Sequence, residues 1–195
     1  LSPIGLSSLK FLNQPITSMD AAISFNQGNY TVDTFALNSA FASLNIQGKG
    51  HYRKNNNLQY LLQIKKIEQL SQKILQKDIA VTGDIEGKMQ GSPDSLSFQS
   101  AFDMTNLQYD TISAKHLNGK ISGWYKKPSP SGQININIDS VSSGSSHIKN
   151  LTIEGQYKNK EFASVLNLSV HDSLSLLTDS KISHVKDPII HLKEI

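Results

Sequence analysis

Alternation of apolar and polar residues with a period of two is the dominant pattern along the chain. It is clearest at 133–139, where Ile134, Ile136 and Ile138 alternate with Asn135 and Asn137. Successive side chains of a β-strand point to opposite faces, so this pattern predicts a strand with one apolar and one polar face. The same alternation recurs at 44–46, 58–64, 81–85, 151–153 and 166–170.

Turn-forming residues separate the alternating segments at the spacing of β-hairpins. Asn, Gly, Pro or Ser occur together or singly at 26–29, 55–57, 91–94, 128–132, 142–145 and 158–160. These residue types favour tight turns because they tolerate left-handed backbone angles, restrict φ or bond to their own backbone. We therefore predict on the order of ten to twelve strands, joined mainly by hairpins.

One segment of the pattern repeats. An apolar alternating strand with glycine in phase, ending in an aromatic and a basic residue, occurs at 44–54, 117–127 and 151–158. Each copy is followed by a turn and a second alternating segment, so the repeating unit is a hairpin. Gly123 and Gly155 of the last two copies lie 32 residues apart, which is typical of a sheet that grows by repetition. A Ser- and Gly-rich meander also produces such near-matches by chance.

A single segment, from Ile67 to Gln76, has helical periodicity. A helix of about three turns is too short to cover the apolar strand faces. Those faces therefore require sheet-on-sheet packing, closure into a barrel, or an open curved sheet covered by another molecule. We predict a mostly β fold: an elongated antiparallel β-sheet curved into a U-shaped trough, with this one short helix.

Uncharged polar residues fit the alternating pattern. The 195 residues include 27 Ser, 15 Asn and 13 Gln, against 19 Lys+Arg and 16 Asp+Glu, and such residues suit strand faces and turns better than helix interiors. The absence of Cys excludes a disulfide scaffold, a thiolate metal site and a cysteine nucleophile. The formal net charge of +3 is too small to indicate a nucleic-acid surface.

None of the candidate catalytic motifs passes its geometric requirement. The six His residues occur singly, without the spacing of a metal site, and we interpret them as solvated surface residues. His171-Asp172-Ser173 has the residue types of a hydrolytic triad, but neighbours on a strand point to opposite faces. The acidic residues lie mostly in turns, which favours turn and cap roles over paired catalytic carboxylates. We predict no catalytic residue, no metal and no cofactor.

The glycine-rich segment 83–91 resembles a phosphate-binding loop only superficially. Met89 stands after Gly87-Lys88 where Ser or Thr is required for magnesium. Gly83, Gly87 and Gly91 are spaced by four, so they share one strand face and indicate a bent strand in which glycine relieves crowding.

Aromatic and basic residues stand together at Tyr52-Arg53, Tyr125-Lys126 and Tyr157-Lys158. Such pairs stack on bases or lie at the level of lipid headgroups. They also occur at hairpin ends where no ligand binds, and the sequence leaves both interpretations open.

Three segments have a spacing of glycine and apolar residues that resembles the AsmA-like family, in its TamB-type (translocation and assembly module) branch. The segments are 22–39, which contains Gly28-Asn29-Tyr30-Thr31-Val32-Asp33, and 44–50, which contains Leu44-Asn45-Ile46-Gln47-Gly48. The third is 81–94, which contains Gly91-Ser92-Pro93. The resemblance covers about residues 20–171. It makes residues 1–195 an internal fragment of a larger repeat protein, with a sub-division into an AsmA-like segment at 1–80 and repeated hairpins at 81–195. The start at Leu1-Ser2-Pro3 without Met agrees with a fragment.

The resemblance implies an envelope protein of diderm bacteria that is anchored in the inner membrane and lies in the periplasm. Its trough is expected to bind and conduct phospholipid acyl chains between the inner and outer membranes, without catalysis and with a role in outer-membrane biogenesis. The implied partners are phospholipid acyl chains, adjoining β-repeats and an outer-membrane assembly barrel, but no nucleic acid. The family contacts that barrel through a C-terminal module that no segment here matches.

We expect the alternating apolar side chains to line the lipid groove. They are Val81, Ile85, Met89, Ile134, Ile136, Ile138, Leu151, Ile153, Leu166, Leu168 and Val170. The same residues also suit the core of an ordinary β-sandwich. The alternative function is therefore a β-sandwich or β-repeat adhesion or carbohydrate-binding module, to which Trp124 and Tyr125 would contribute an aromatic platform.

Overall fold

The chain folds into one antiparallel β-sheet. The computed structural model describes residues 10–11, 14–65, 67–68, 79–126, 130–158, 161–171, 174–183 and 189–194. Within these ranges lie thirteen strands in a single sheet, and the order of the strands in the sheet is their order in the sequence. The predicted mostly β, elongated antiparallel sheet is confirmed, with one strand more than the upper number expected from the pattern.

The strands are long and joined mainly by tight turns. Their bounds are β1 Lys10–Phe11, β2 Gln14–Asn26, β3 Asn29–Ser39, β4 Ala42–His51, β5 Asn56–Ile64, β6 Ile79–Ser92, β7 Ser95–Tyr109, β8 Ile112–Lys126, β9 Ser131–Ser143, β10 Ser146–Lys158, β11 Glu161–His171, β12 Leu174–Ser183 and β13 Ile189–Glu194. The predicted repeat forms the hairpins β4–β5, β8–β9 and β10–β11.

Register places apolar residues opposite apolar residues. In the β9–β10 pair, Ile138 lies opposite Leu151 and Ile136 opposite Ile153, whereas Asn135 lies opposite Glu154. Because directly opposite residues share a face, the alternating pattern of each strand adds to that of the next. The sheet therefore has one apolar face and one polar face.

The sheet is open and curved into a trough. All substantial contacts between described strands join sequence neighbours, so β1 does not meet β13. The solvent-accessible surface is 13637 Å², whereas a compact monomer of 21.5 kDa exposes about 9,200 Å². Register shifts in the β2–β3, β3–β4, β6–β7 and β11–β12 pairs bend the strands.

Two further irregularities lie side by side in the middle of the sheet. Asn106 in β7 and Ser140 in β9 have φ of 56° and 60°, left-handed values that cost a non-glycine residue about 1–2 kcal/mol. They lie beside Thr105 and Asp139, which are both opposite His116 of β8. The two positions therefore distort the two strands that flank β8, along the same line across the sheet.

Aromatic rings of one strand lie over glycines of the next on the apolar face. Phe98 is opposite Gly123 and Phe102 is opposite Gly119, and each ring occupies the space that a β-carbon on its glycine would need. The same arrangement occurs at Tyr60 over Gly87, Tyr30 over Gly50 and Phe162 over Gly155. The glycines of the repeat thus accommodate aromatic rings that lie close to the backbone of the adjacent strand.

Of the predicted helix, only Ile67 and Glu68 fall within the described residues, where Glu68 is helical. The rest of the segment to Gln76 lies outside them. No helix among the described residues is long and apolar enough to cross a membrane.

Candidate functional site

The apolar face is not covered by any other described part of the chain. Among the residues whose side chains are described, Met104 is the one apolar side chain that is buried, at 7% exposure. The other described apolar side chains are half-buried or exposed, because they contact neighbours within the sheet and no other described part of the chain packs over them. A contiguous apolar face of this kind marks a binding surface.

Two continuous rows of side chains cross this face at right angles to the strands. The long apolar row contains one residue from each of nine strands: Leu44, Leu62, Ile85, Phe102, Gly119, Ile136, Ile153, Leu166 and Thr178. The second apolar row contains Ile64, Gly83, Met104, Leu117, Ile138, Leu151, Leu168 and Leu176. Nine strands at about 4.8 Å spacing give the long row a length of about 38 Å.

The predicted lipid-lining residues lie mostly in these rows. Four are in the long apolar row: Ile85, Ile136, Ile153 and Leu166. Three are in the second apolar row: Ile138, Leu151 and Leu168. Ile134 and Met89 lie on the same face, in two further rows on the side of the long apolar row away from the second apolar row. Val81 and Val170 lie beside register shifts. The structure thus brings nine of the eleven onto one face, and their contact with lipid stays a prediction.

A separate groove of about 1600 Å³ runs across the strands from β4 to β12. Most of these strands contribute three consecutive residues to it, as β6 does with Glu86, Gly87 and Lys88. In each set of three consecutive residues, the first and the third belong to the polar face. From β4, Asn45 and Gln47 of the polar face line the groove, whereas Ile46 between them does not. The neighbouring apolar-face residues, such as Phe98 and Phe102, do not line it. The groove therefore lies on the polar face.

Amide side chains dominate one wall of the groove. Register places five glutamines in one row across the sheet: Gln47, Gln59, Gln99, Gln133 and Gln156. The facing row holds charges of both signs, among them Glu86, Lys120 and Glu154. Asn135 Nδ2 donates to Glu154 Oε1 at 3.4 Å. This polar groove was not predicted, because the sequence pattern does not show which polar positions share a row.

A cluster of titratable and amide groups lies on the polar face beside the distorted line. His116 Nε2 lies 2.8 Å from Asp103 Oδ1, and His116 Nδ1 lies 3.5 Å from Asp139 Oδ2. Asp139 Oδ1 also accepts from Asn137 Nδ2 at 3.1 Å and from Asn150 Nδ2 at 2.9 Å. The cluster links β7, β8, β9 and β10 through side chains.

The cluster shifts two pKa values in opposite directions. The hydrogen bond to Asp103, with smaller contributions from Asp139, raises the pKa of His116, although burial opposes this. The hydrogen bond from Asn150, followed by those from Asn137 and His116, lowers the pKa of Asp139 against the effect of burial. His116 and Asp139 therefore each favour the charged form of the other. His116 is at the surface, with its side chain 30% exposed, but its two carboxylate partners come from other strands and were not predicted.

Catalytic and metal-binding geometry is not evident in the described part of the chain. No group of three or more His, Cys, Asp or Glu residues there is arranged to hold a metal ion. Asp172 and Ser173 of the triad-like sequence lie outside the described residues. Residues 83–91 lie within the strand β6, so the glycine-rich segment is a strand and not a phosphate loop.

No protein-family model, no curated protein and no solved structure matches the chain.

Proposed function

We propose that the protein binds phospholipid acyl chains on its apolar face and conducts them, without catalysis, between the inner and outer membranes of a diderm bacterium. The observation that carries the proposal is the long apolar row, which crosses nine strands and has no other part of the described chain above it. Periplasmic location, inner-membrane anchoring of the whole protein and a role in outer-membrane biogenesis rest on the family resemblance.

The dimensions of the face suit an acyl chain. One leaflet of bilayer hydrocarbon is about 15 Å thick, so a row of about 38 Å exceeds the length of one chain and extends past its end. Burial of each CH₂ group contributes about 0.8 kcal/mol. An acyl chain on the face therefore gains a large fraction of the free energy that it has in a membrane.

The rings over glycines support movement along the face rather than fixed binding. Three phenylalanine rings lie close to the backbone of the adjacent strand, those of Phe98, Phe102 and Phe162. They therefore fill the space over glycines of that strand. A surface with few deep pockets holds an acyl chain at many equivalent positions. Adjoining β-repeats are proposed partners, since the end strand of an open sheet has backbone groups that pair with a further strand.

The experiment compares two matched double variants for binding of a phospholipid with a fluorescent acyl chain. Ile136→Glu with Ile153→Lys places a cross-strand ion pair on the apolar face, and Gln133→Glu with Gln156→Lys places the same pair on the polar face of the same strands. Loss of binding in the first variant only, with phospholipid in the mass spectrum of the purified wild type, is expected. Equal binding by both variants contradicts the proposal.

The polar groove favours a second candidate, binding of an uncharged carbohydrate chain. Its row of five glutamines presents amide donors and acceptors that pair with hydroxyl groups. The described strands form one sheet, so this candidate is a β-repeat module and not a sandwich. Binding on a glycan array that is lost in Gln99→Ala with Gln133→Ala, and kept in the apolar-face variant, is the result that selects it.

A further inference from the structure

Among the described residues, four of the six exposed aromatic side chains lie at one long edge of the sheet, and Tyr109 lies at the other. In an antiparallel meander alternate turns lie on the same side, so the turns after β2, β4, β8 and β10 share an edge. We call their exposed residues the aromatic rim: Phe25, Tyr52, Arg53, Lys54, Trp124, Tyr125, Lys126 and Lys158. Phe25 is 78% exposed, Tyr52 is 61% exposed and Trp124 is 48% exposed.

Basic groups of the rim lie directly on these rings. The guanidinium carbon of Arg53 is 5.0 Å from the centre of the Tyr52 ring, which also stacks on His51 with ring centres 5.0 Å apart. The ammonium of Lys126 is 5.4 Å from the centre of the Trp124 ring. Two hairpins that are four strands apart therefore each place a basic group over an exposed aromatic ring.

The opposite edge lacks this combination. The turns at 40–41, 110–111 and 144–145 contain no Lys or Arg, and the exposed Tyr109 on this edge is followed by Asp110. The β5–β6 connection on the same edge does contain lysines, of which Lys65 is described and exposed. In the rim, Arg53, Lys54, Lys126 and Lys158 are all exposed, and the sequence adds Lys127 and Lys160, which lie outside the described residues. In the sequence, the acidic residues in the connections of the rim edge are Asp94, Glu161 and Asp187, and Lys186 stands next to the last of these. The rim edge thus has exposed aromatic and basic residues in the same turns, whereas on the opposite edge the exposed Tyr109 and the exposed Lys65 lie in different connections.

We propose that the aromatic rim docks on the surface of an anionic phospholipid bilayer. Aromatic side chains favour the interface between hydrocarbon and water, and each Lys or Arg near an anionic surface strengthens attachment. The rim has both in the same turns. This surface is distinct from the apolar face and polar groove, so the inference goes beyond acyl-chain binding and does not depend on it.

Trp124 is the one tryptophan of the chain, so its fluorescence reports directly on the rim. We expect addition of vesicles of phosphatidylglycerol to shift Trp124 emission to shorter wavelength, and brominated acyl chains in the vesicles to quench it. Vesicles of phosphatidylcholine alone, or 1 M salt, are expected to give little change because the attraction is electrostatic. An equal response to neutral vesicles, or no response to anionic ones, overturns the proposal.

Matched variants separate the rim from general charge effects. Arg53→Ala with Lys126→Ala is expected to weaken vesicle binding by roughly 30-fold, since each basic residue contributes about fivefold. Lys65→Ala with Lys115→Ala removes the same charge towards the opposite edge and is expected to keep wild-type binding. An equal loss in both variants overturns the proposal, as does binding to soluble polyphosphate without binding to vesicles.

The failure of this proposal is distinguishable from failure of acyl-chain binding. The rim variant is expected to keep the fluorescent acyl-chain binding of the wild type, and the apolar-face variant, Ile136→Glu with Ile153→Lys, is expected to keep vesicle binding. Circular dichroism of both variants checks that the sheet is intact. A rim variant that loses both kinds of binding while the sheet stays intact contradicts the assignment of a separate docking surface.

Discussion

Phe98 of β7 lies directly opposite Gly123 of β8, and its ring occupies the place that a β-carbon on Gly123 would take. The ring thereby lies against the backbone of the next strand instead of projecting from the face. Glycine in a strand is otherwise unfavourable by about 0.5–1 kcal/mol relative to alanine. The contact with the ring gives this glycine a packing role on the apolar face.

We predict that Gly123→Ala lowers the free energy of unfolding by about 1–2 kcal/mol, because overpacking costs about 1–3 kcal/mol and the gain from removing a strand glycine offsets only part of that cost. Gly132 is the control, since it lies opposite Gly123 on β9 and its added β-carbon would first meet Ser122 O at 3.1 Å. Urea unfolding measures both. Phe98→Leu is expected to suppress the effect of Gly123→Ala, and equal losses in both glycine variants would show that the ring contact is not the cause.

The stability is expected to fall at alkaline pH through His116. Its pKa is raised by Asp103 and, to a smaller extent, Asp139, so the stabilisation is fully present below the ordinary histidine pKa of about 6.5 and is lost as pH rises through the raised value. In His116→Gln this part of the pH dependence disappears. Urea midpoints at pH 5.5 and 8.5 measure it.

His147→Gln serves as the control for that experiment. His147 lies on β10 and its Nδ1 is 3.0 Å from the Ser142 hydroxyl, away from the two carboxylates of the cluster. The variant is expected to keep the wild-type dependence on pH. If His116→Gln and the wild type lose the same stability between the two pH values, the cluster does not act as described.

Asn150→Ala is expected to raise the pKa of Asp139 towards its ordinary value, because the amide of Asn150 is the first cause of the lowered value. The contribution of Asp139 to stability is present above the ordinary aspartate pKa and is lost as pH falls through the lowered one. The variant is therefore less stable than the wild type at neutral pH, and this part of the difference disappears in acid. A ¹³C NMR titration of the Asp139 carboxyl measures the shift, with Asn167→Ala on β11 as the control. An unchanged pKa in Asn150→Ala contradicts the prediction.

The alternation in the sequence determines the two faces of the sheet. Ile134, Ile136 and Ile138 share a face in the structure as their spacing predicts, because the period of a strand is independent of its partners. The hairpins follow equally from local turn chemistry. Fold class and the identity of the apolar residues were therefore predictable.

The arrangement across strands was not predictable from the pattern alone. His116 has its two carboxylates at Asp103 and Asp139, which are 13 and 23 residues away in the chain and adjacent only in the paired sheet. The glutamine row of the groove depends in the same way on register. The position of the β8–β9 turn could have predicted one of these contacts. If the two strands are paired as a hairpin with its turn at 127–129, Asp139 falls opposite His116.

The most direct measurement of acyl-chain binding is NMR relaxation with a phospholipid that has a spin label on its acyl chain. The two faces offer matched methyl groups: Ile136, Ile138 and Ile153 on the apolar face, and Ala101, Ala163 and Val165 in the polar groove. We predict that the label broadens the isoleucine signals and leaves the other three unchanged. Broadening of the groove residues, or of neither set at saturating lipid, would contradict the assignment of the apolar face as the lipid-binding surface.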